Sequence, residues 1–250
     1  MISLNAARND FSPAPHGRFA WEHAGTHEDI VAAQNLRHRV LMKETGAKTQ
    51  DIRKRHRDGF DIFCYHLLVR DTQTNEIVAC TRLMSSAQAR IAGGFHAAQR
   101  FDIQNLLDLP GRALEVGRIY IEPPYRQSAV MATLWTGIAE FCRTHAVDFL
   151  FSCAPADAAS LRVNRNADSA LGNGGQPYAW RPSCNADDAP TAADGAELAL
   201  ATYFKLGAQL RNVACRDTEA GTPANALVVL WSRELTTARM NSVLACPEPN

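Results

Sequence analysis

The order of elements along this chain predicts an α+β fold: a mixed, mostly antiparallel central sheet flanked by helices, with one parallel pair of strands around the central helix. Three observations carry that expectation. Residues 64–71 and 76–84 are apolar, β-branched runs joined across a polar turn, which makes them a hairpin and antiparallel by construction. Residues 113–121, an apolar-periodic helix through Val130, Leu134, Ile138 and Phe141, and residues 147–153 form a strand, helix, strand succession. Two strands joined by a helical crossover run parallel. Two further strand-like runs, 209–215 and 226–231, follow a helix at 198–206 that Gly207 closes.

The remaining elements follow in chain order. Residues 1–17, with Pro13 and Pro15, read as a flexible lead-in. Residues 18–22 alternate as a first strand, and Thr26 with Asp29 resembles an N-cap with an acidic third position. Ile30, Ala33, Leu36, Val40 and Leu41 then form the apolar stripe of a first helix, with Gly46 expected at its end. Residues 48–57 are strongly basic. Residues 93–102 read as an irregular connection, and Ile103, Leu106 and Leu107 as a short helix before the central strand. From 164 to 195 the composition shifts to Gly, Asn, Asp, Ala and Pro, the mark of a long loop or lid. A single domain over 18–233 and a tail at 234–250 complete the expected organisation.

Composition narrows the function classes. In 250 residues, 46% are hydrophobic and 21% charged, ordinary values for a soluble globular protein. Acidic and basic residues balance at 26 each, so no overall field draws the chain to nucleic acid. The seven cysteines are scattered, odd in number and never spaced Cys-x-x-Cys, which suits a reducing compartment. The first residues lack a signal-peptide core and no window reaches the length of a membrane span. The expected location is cytoplasmic, with peripheral contact at the inner membrane left open.

Several residue groupings invite chemistry and do not sustain it. His23 and His27 are four apart but straddle a strand end and a helix start, with no further ligands nearby, so no metal site is expected. His66 alternates within a strand like a core histidine. Cys142 and His145 share a helix face, yet nothing orients the histidine. Residues 172–175 are glycine-rich without a preceding strand, so they make no dinucleotide fingerprint.

A different set of motifs holds together in order. Arg37-x-x-Val40-Leu41-x-x-Glu44-x-Gly46, Asp58-x-Phe60-Asp61-x-x-Cys64-x-His66, Thr81-Arg82-Leu83, Leu114-Glu115-Val116-Gly117-Arg118, Tyr125-Arg126-x-x-x-Val130 and Leu206-Gly207-Ala208 recur along residues 20–231. Together they resemble the ornithine-lipid N-acyltransferases, which are Gcn5-related (GNAT) acyltransferases distantly similar to acyl-homoserine-lactone synthases. The resemblance implies a GNAT-like sheet whose parallel strand pair is splayed, and transfer of a 3-hydroxyacyl group from acyl carrier protein to the α-amine of an amino acid such as ornithine. The product would be a lyso-ornithine lipid. No bound cofactor is implied, since the acyl-phosphopantetheine of the carrier protein is the donor substrate. The recurring polar set of the lactone synthases maps onto Arg37, Asp58, Asp61, Arg82, Glu115 and Arg118. The chain departs from the family at Leu41, Ala47, Ile119–Tyr120 and Ala154–Pro155–Ala156, positions that bear on which amine and which acyl chain are accepted.

The residue types support roles of their own. An amine must lose a proton before attacking a thioester, and Glu115 is the candidate general base, with Arg118 beside it as the second catalytic candidate. Equally, Glu115 could pair with Arg118 or Arg82 and only fix the sheet. Asp58 and Asp61, with Arg37 and Arg82 around them, could bind the substrate's ammonium or merely cap and bridge a loop. Backbone N–H groups near Ile119, Tyr120 and Ile121 could hold the oxyanion, and a pantetheine arm could pair with the same strand. Arg126, Gln127, Ser128, Ala129 and Val130 would offer a helix start to its phosphate, or form an ordinary helix start. Arg53, Lys54, Arg55 and Arg57 could dock an acidic carrier protein, or form a solvated face. Two other functions stay open: a lactone or N-acyl amino acid synthase, and a non-catalytic module that binds acyl carrier protein.

Overall fold

A computed structural model describes residues 17–45, 54–126, 128–156, 200, 202–214, 224–236 and 240. Residues 1–16 of the predicted lead-in, the 164–195 loop, Gly46, Arg53, Gln127 and most of the tail lie outside these residues. Seven strands form one sheet: β1 (Phe19–His23), β2 (Tyr65–Asp71), β3 (Glu76–Ser85), β4 (Ala113–Ile121), β5 (Phe149–Ala156), β6 (Gln209–Ala214) and β7 (Ala224–Trp231). Their order across the sheet is β1-β2-β3-β4-β5-β7-β6. Every neighbouring pair is antiparallel except β4 and β5. The expected hairpin and parallel pair are thus present, and the last strand inserts between β5 and β6.

Helix α1 (His27–Thr45) begins with the cap that its sequence announces. Thr26 Oγ1 accepts from the Asp29 N–H at 3.2 Å, while Asp29 Oδ2 accepts from the Thr26 N–H at 3.0 Å. That reciprocal pair satisfies two donors that the helix start would otherwise leave open. The buried side chains of α1, Ala33, Leu36 and Val40, lie over Leu68 of β2 and Cys80 of β3. The sequence reading left residues 85–92 unassigned, and they form α2 (Ser86–Ala92), set by a Ser85–Gln88 capping box and ended by Gly93 at φ 84°. A short helix, α3 (Gln104–Leu107), precedes β4.

Helix α4 (Ser128–Thr144) covers the opposite face. Leu134, Trp135 and Ile138 are completely buried there against Leu67, Leu83, Leu114 and Val116. Each such side chain contributes roughly 1.5–3 kcal/mol relative to exposure. Helical residues 202–205 complete this layer, with Tyr203 edge-on to Trp135 at 5.0 Å. Among the described residues no helix is long and apolar enough to cross a membrane.

Candidate active site

The pairing of β4 with β5 is short. Ala113, Leu114 and Glu115 oppose Phe149, Leu150 and Phe151, and no ladder pairing between the two strands follows. Beyond that point β4 continues along β3 and β5 continues along β7. The two strands part at Glu115 and Phe151, leaving a cleft bordered by residues 116–121 and 152–156.

A bulge in the pairing of β3 with β4 lies beside the separation. Cys80 faces Tyr120 while Arg82 faces Gly117, so Arg118 and Ile119 together stand opposite Thr81. Arg118 takes a left-handed backbone at φ 57°. That conformation costs a non-glycine residue about 1–2 kcal/mol. Bulges and strained residues gather beside functional sites because they re-aim side chains. Here the bond from Arg118 Nη2 to Asp58 Oδ2 at 2.7 Å and contact with the Tyr120 hydroxyl offset the strain.

Asp58 and Asp61 reach the site through a short turn. The Phe60 N–H donates to Asp58 Oδ1 at 3.0 Å, and a 3-10 helix follows over Asp61–Phe63. Asp61 is buried beneath three donors: Arg37 Nη2 at 2.6 Å, Arg82 Nη1 at 3.0 Å and Gln34 Nε2 at 3.0 Å. Asp58 accepts from Arg82 as well, at 2.5 Å. Both carboxyls lie below the usual carboxylate range, where the neighbouring guanidiniums overcome the burial that would raise them. The chain of contacts runs Arg37, Asp61, Arg82, Asp58, Arg118. Three guanidiniums face two carboxylates.

Glu115 stands apart from that network. It is 4% exposed, and its two oxygens accept from the backbone N–H groups of His96 and Ala97, each at 2.8 Å. These amides open a 3-10 helix, His96–Gln99, inside the stretch read from sequence as irregular. The alternative in which Glu115 pairs with Arg118 or Arg82 is therefore corrected: both arginines bond to aspartates, and backbone dipoles hold the carboxylate. Burial pushes its pKa up to about 7, against the lowering pull of the two amides and of Arg82. His96, with Nδ1 at 3.9 Å from the carboxylate, and His56 are both pushed down to about 4, first by burial and then by Arg118.

In the core on the α4 face of the sheet, sequence reasoning missed Tyr203. Its hydroxyl is buried near Ser152 without a well-aligned hydrogen-bond partner, and burial raises its pKa. A lone tyrosine in an apolar helix carries no sequence signal of this kind. At the far end of β4, Arg126 bonds to Glu44 of α1 and reaches the Ile121 carbonyl at 3.4 Å. The predicted phosphate contact would have to compete with Glu44. Gln127 is outside the described residues, Ser128 begins α4, Ala129 is exposed and Val130 is buried. A groove of about 610 Å³ beside this corner, bordered by Arg39, Lys43 and Glu122, does not include Glu115.

The discounted groupings are also located. His66 Nε2 hydrogen-bonds the Asp61 carbonyl at 2.9 Å from within the core. His145 stacks on Phe141 at 3.9 Å, and burial pushes the Cys142 thiol up to about 12, so they form no nucleophile pair. Among the described residues no group of three or more metal-binding side chains occurs.

Comparison with known proteins matches this arrangement to a family model described as an acetyltransferase (GNAT) domain, over residues 36–136. An L-ornithine N(alpha)-acyltransferase of Brucella abortus is 41% identical over 141 residues, covering 52% of this chain and 50% of that protein. The chain spans about half the length of such curated relatives. FeeM, an N-acyl amino acid synthase from uncultured soil microbes, superposes with a TM-score of 0.52 at 11% identity, covering 90% of this chain and 94% of that one. The AHL synthase LasI does so with a TM-score of 0.51 at 11% identity, over 94% of this chain and 100% of its own. These likenesses establish the fold.

Proposed function

We propose, for a chain whose residues 36–136 match a model of the acetyltransferase (GNAT) domain, that it moves a 3-hydroxyacyl group from acyl carrier protein to the α-amine of an amino acid. Ornithine is the acceptor that the 41% identical relative's name suggests, and acylation of its α-amine would give a lyso-ornithine lipid. The observation that carries this reading is the position of Glu115: a buried carboxyl with a pKa near 7, at the point where β4 and β5 part. A base poised there is half ionised at neutral pH and can take a proton from an ammonium without being a strong acid sink.

The acceptor's ammonium gives one proton to Glu115, directly or through water. The freed amine attacks the thioester carbon lying in the cleft, forming the C–N bond and an oxyanion. Backbone N–H groups near Ile119, Tyr120 and Ile121 stabilise that charge without side-chain motion. Collapse breaks the C–S bond. The second proton of the attacking nitrogen, lost as the amide forms, passes to the departing sulfur by way of the Tyr203 hydroxyl, which gives one proton and takes back another. Glu115 returns its own proton to solvent before the next turnover. The amine therefore enters from the Glu115 face and the thiol leaves toward α4. The pantetheine arm lies along the free side of β4 as an added strand, its phosphate toward residues 126–130. The Arg37, Asp61, Arg82 and Asp58 array fixes Arg118 and the 58–61 turn beside the base.

Lys54, Arg55 and Arg57, together with Arg53, supply basic charge for the acidic surface of a carrier protein. A cytoplasmic site with peripheral membrane contact suits an amphipathic product. Mass spectrometry of lipids from cells expressing the chain tests the reading. A new N-acyl-ornithine supports it, an N-acyl lactone reassigns the acceptor, and no new acyl amine would indicate a non-catalytic carrier-binding module.

A further inference from the structure

The arginine-rich array beside Glu115 is one anion short. Among the described residues, Arg37, Arg82 and Arg118 form ion pairs with Asp58 and Asp61 alone, so three guanidinium charges face two carboxylates. His56 and His96, both held neutral, add no further positive charge. Arg37 Nε is a buried donor with no acceptor, a second sign that the array lacks a hydrogen-bonding anion. Arg37 and Arg82 are nearly inaccessible, whereas the Arg118 side chain keeps 25% of its surface exposed. Arg118 spends Nη2 on Asp58 and also meets the Tyr120 hydroxyl, leaving further N–H groups of its five to donate. Its left-handed backbone at the bulge presents it next to the parting strands.

We infer that Arg118 receives the carboxylate of the acceptor amino acid, so that the enzyme takes α-amino acids and rejects amines lacking a carboxylate. The inference rests on the acyl-transfer reading above and deepens it by naming the acceptor feature that is recognised. A carboxylate bound at Arg118 neutralises the excess charge. It also places the α-nitrogen, one carbon away from that carboxylate, on the side of the site where Glu115 lies. Asp58 keeps the guanidinium oriented and Asp61 keeps Arg82 in place, so neither aspartate is needed as an ammonium ligand.

The test compares L-ornithine with L-ornithinamide, in which the carboxylate becomes a neutral amide. The amide's amine is the less basic, which favours it chemically, so any preference for ornithine must come from binding the carboxylate. With the full chain and acyl carrier protein thioester, kcat/KM for ornithine should exceed that for ornithinamide by about 100-fold, the scale of one charge-assisted contact. Arg118→Gln should remove most of that preference by depressing ornithine alone, and Arg118→Lys should restore part of it. Equal use of both acceptors by the wild-type chain, or equal loss on both in Arg118→Gln, would overturn the inference and leave acyl transfer standing. Calorimetry with each acceptor separates the two claims. Ornithine binding that is lost with ornithinamide, in the absence of turnover, would preserve the carboxylate site and refute the transfer reading. Failure to bind or use either acceptor would refute both.

Discussion

Replacing Glu115 with glutamine keeps the shape of the side chain and removes its titration. With a folded-state pKa of about 7, ionised Glu115 falls to about a tenth at pH 6 and about a hundredth at pH 5. At saturating acceptor, wild-type kcat should therefore fall about tenfold per pH unit below 7. Glu115→Gln should lose about 10²–10⁴-fold in kcat at pH 7.5 and with it that pH dependence. Stability follows from the same shift. Because the carboxyl's pKa is raised on folding, the folded state holds the proton more tightly, and stability falls as pH rises from about 4.5 to 7. The full shift corresponds to roughly 3 kcal/mol. Glutamine avoids that loss but has one acceptor oxygen for the two N–H groups of His96 and Ala97. An unmet buried N–H costs about 1–3 kcal/mol. The variant should thus be less stable than wild type below pH 4.5 and about equal to it above pH 7. Stopped assays across pH 5–8 and urea unfolding at pH 4.5 and 8 measure both effects. A wild-type kcat that is flat from pH 5.5 to 7.5, or near-normal turnover by the variant, would refute the reasoning.

Further outcomes follow from other parts of the molecule. Asp61→Asn should destabilise the fold by about 3–5 kcal/mol in chemical denaturation, because it strips two buried guanidiniums of their shared counter-charge. The same ion pairs predict acid sensitivity: both aspartates have lowered pKa values, so their stabilisation is present above pH 3.8 and is lost as pH falls below it. Tyr203→Phe removes a buried hydroxyl without a well-aligned partner. It should leave stability unchanged or raise it by up to ~1 kcal/mol, while single-turnover assays show slower thiol release. Gly137→Ala places a Cβ 2.8 Å from Leu67 Cδ2 and 3.0 Å from two Trp21 ring atoms. Overpacking of about 1–3 kcal/mol should outweigh the gain of about 1 kcal/mol in helix propensity, and a raised melting temperature would show that α4 can retreat from the sheet.

Much of the fold was written in local patterns. The hairpin of β2 and β3, the crossover through α4 and the Thr26 cap each depend on residues close in sequence, so periodicity and capping chemistry predict them. Helix α2 was missed although Ser85 and Gln88 carry the spacing of a capping box. A seven-residue helix shows too little periodicity to stand out from a connection. The insertion of β7 between β5 and β6 has no local signature, since it depends on which sheet edge the chain reaches last.

The site was legible in its letters and not in its pairings. Arg37, Asp58, Asp61, Arg82 and Arg118 do assemble, across elements up to 81 positions apart. Glu115 nevertheless bonds to peptide N–H groups of His96 and Ala97, and backbone donors are spelled by no residue type. Arg126 bonds to Glu44, 82 residues away, rather than standing free at the helix start. Tyr203 becomes notable only once folding has buried its hydroxyl near Ser152 in the core on the α4 face.

Direct reconstitution tests the central claim. Purified chain, 3-hydroxyacyl carrier-protein thioester and L-ornithine are combined, with product identified by mass spectrometry and freed carrier thiol counted with a thiol reagent. The account predicts one N-acyl-ornithine, acylated on the α-nitrogen, for each thiol released, and no release without an amine acceptor. Thiol release with no acyl amine, or neither product from the folded chain, would contradict it.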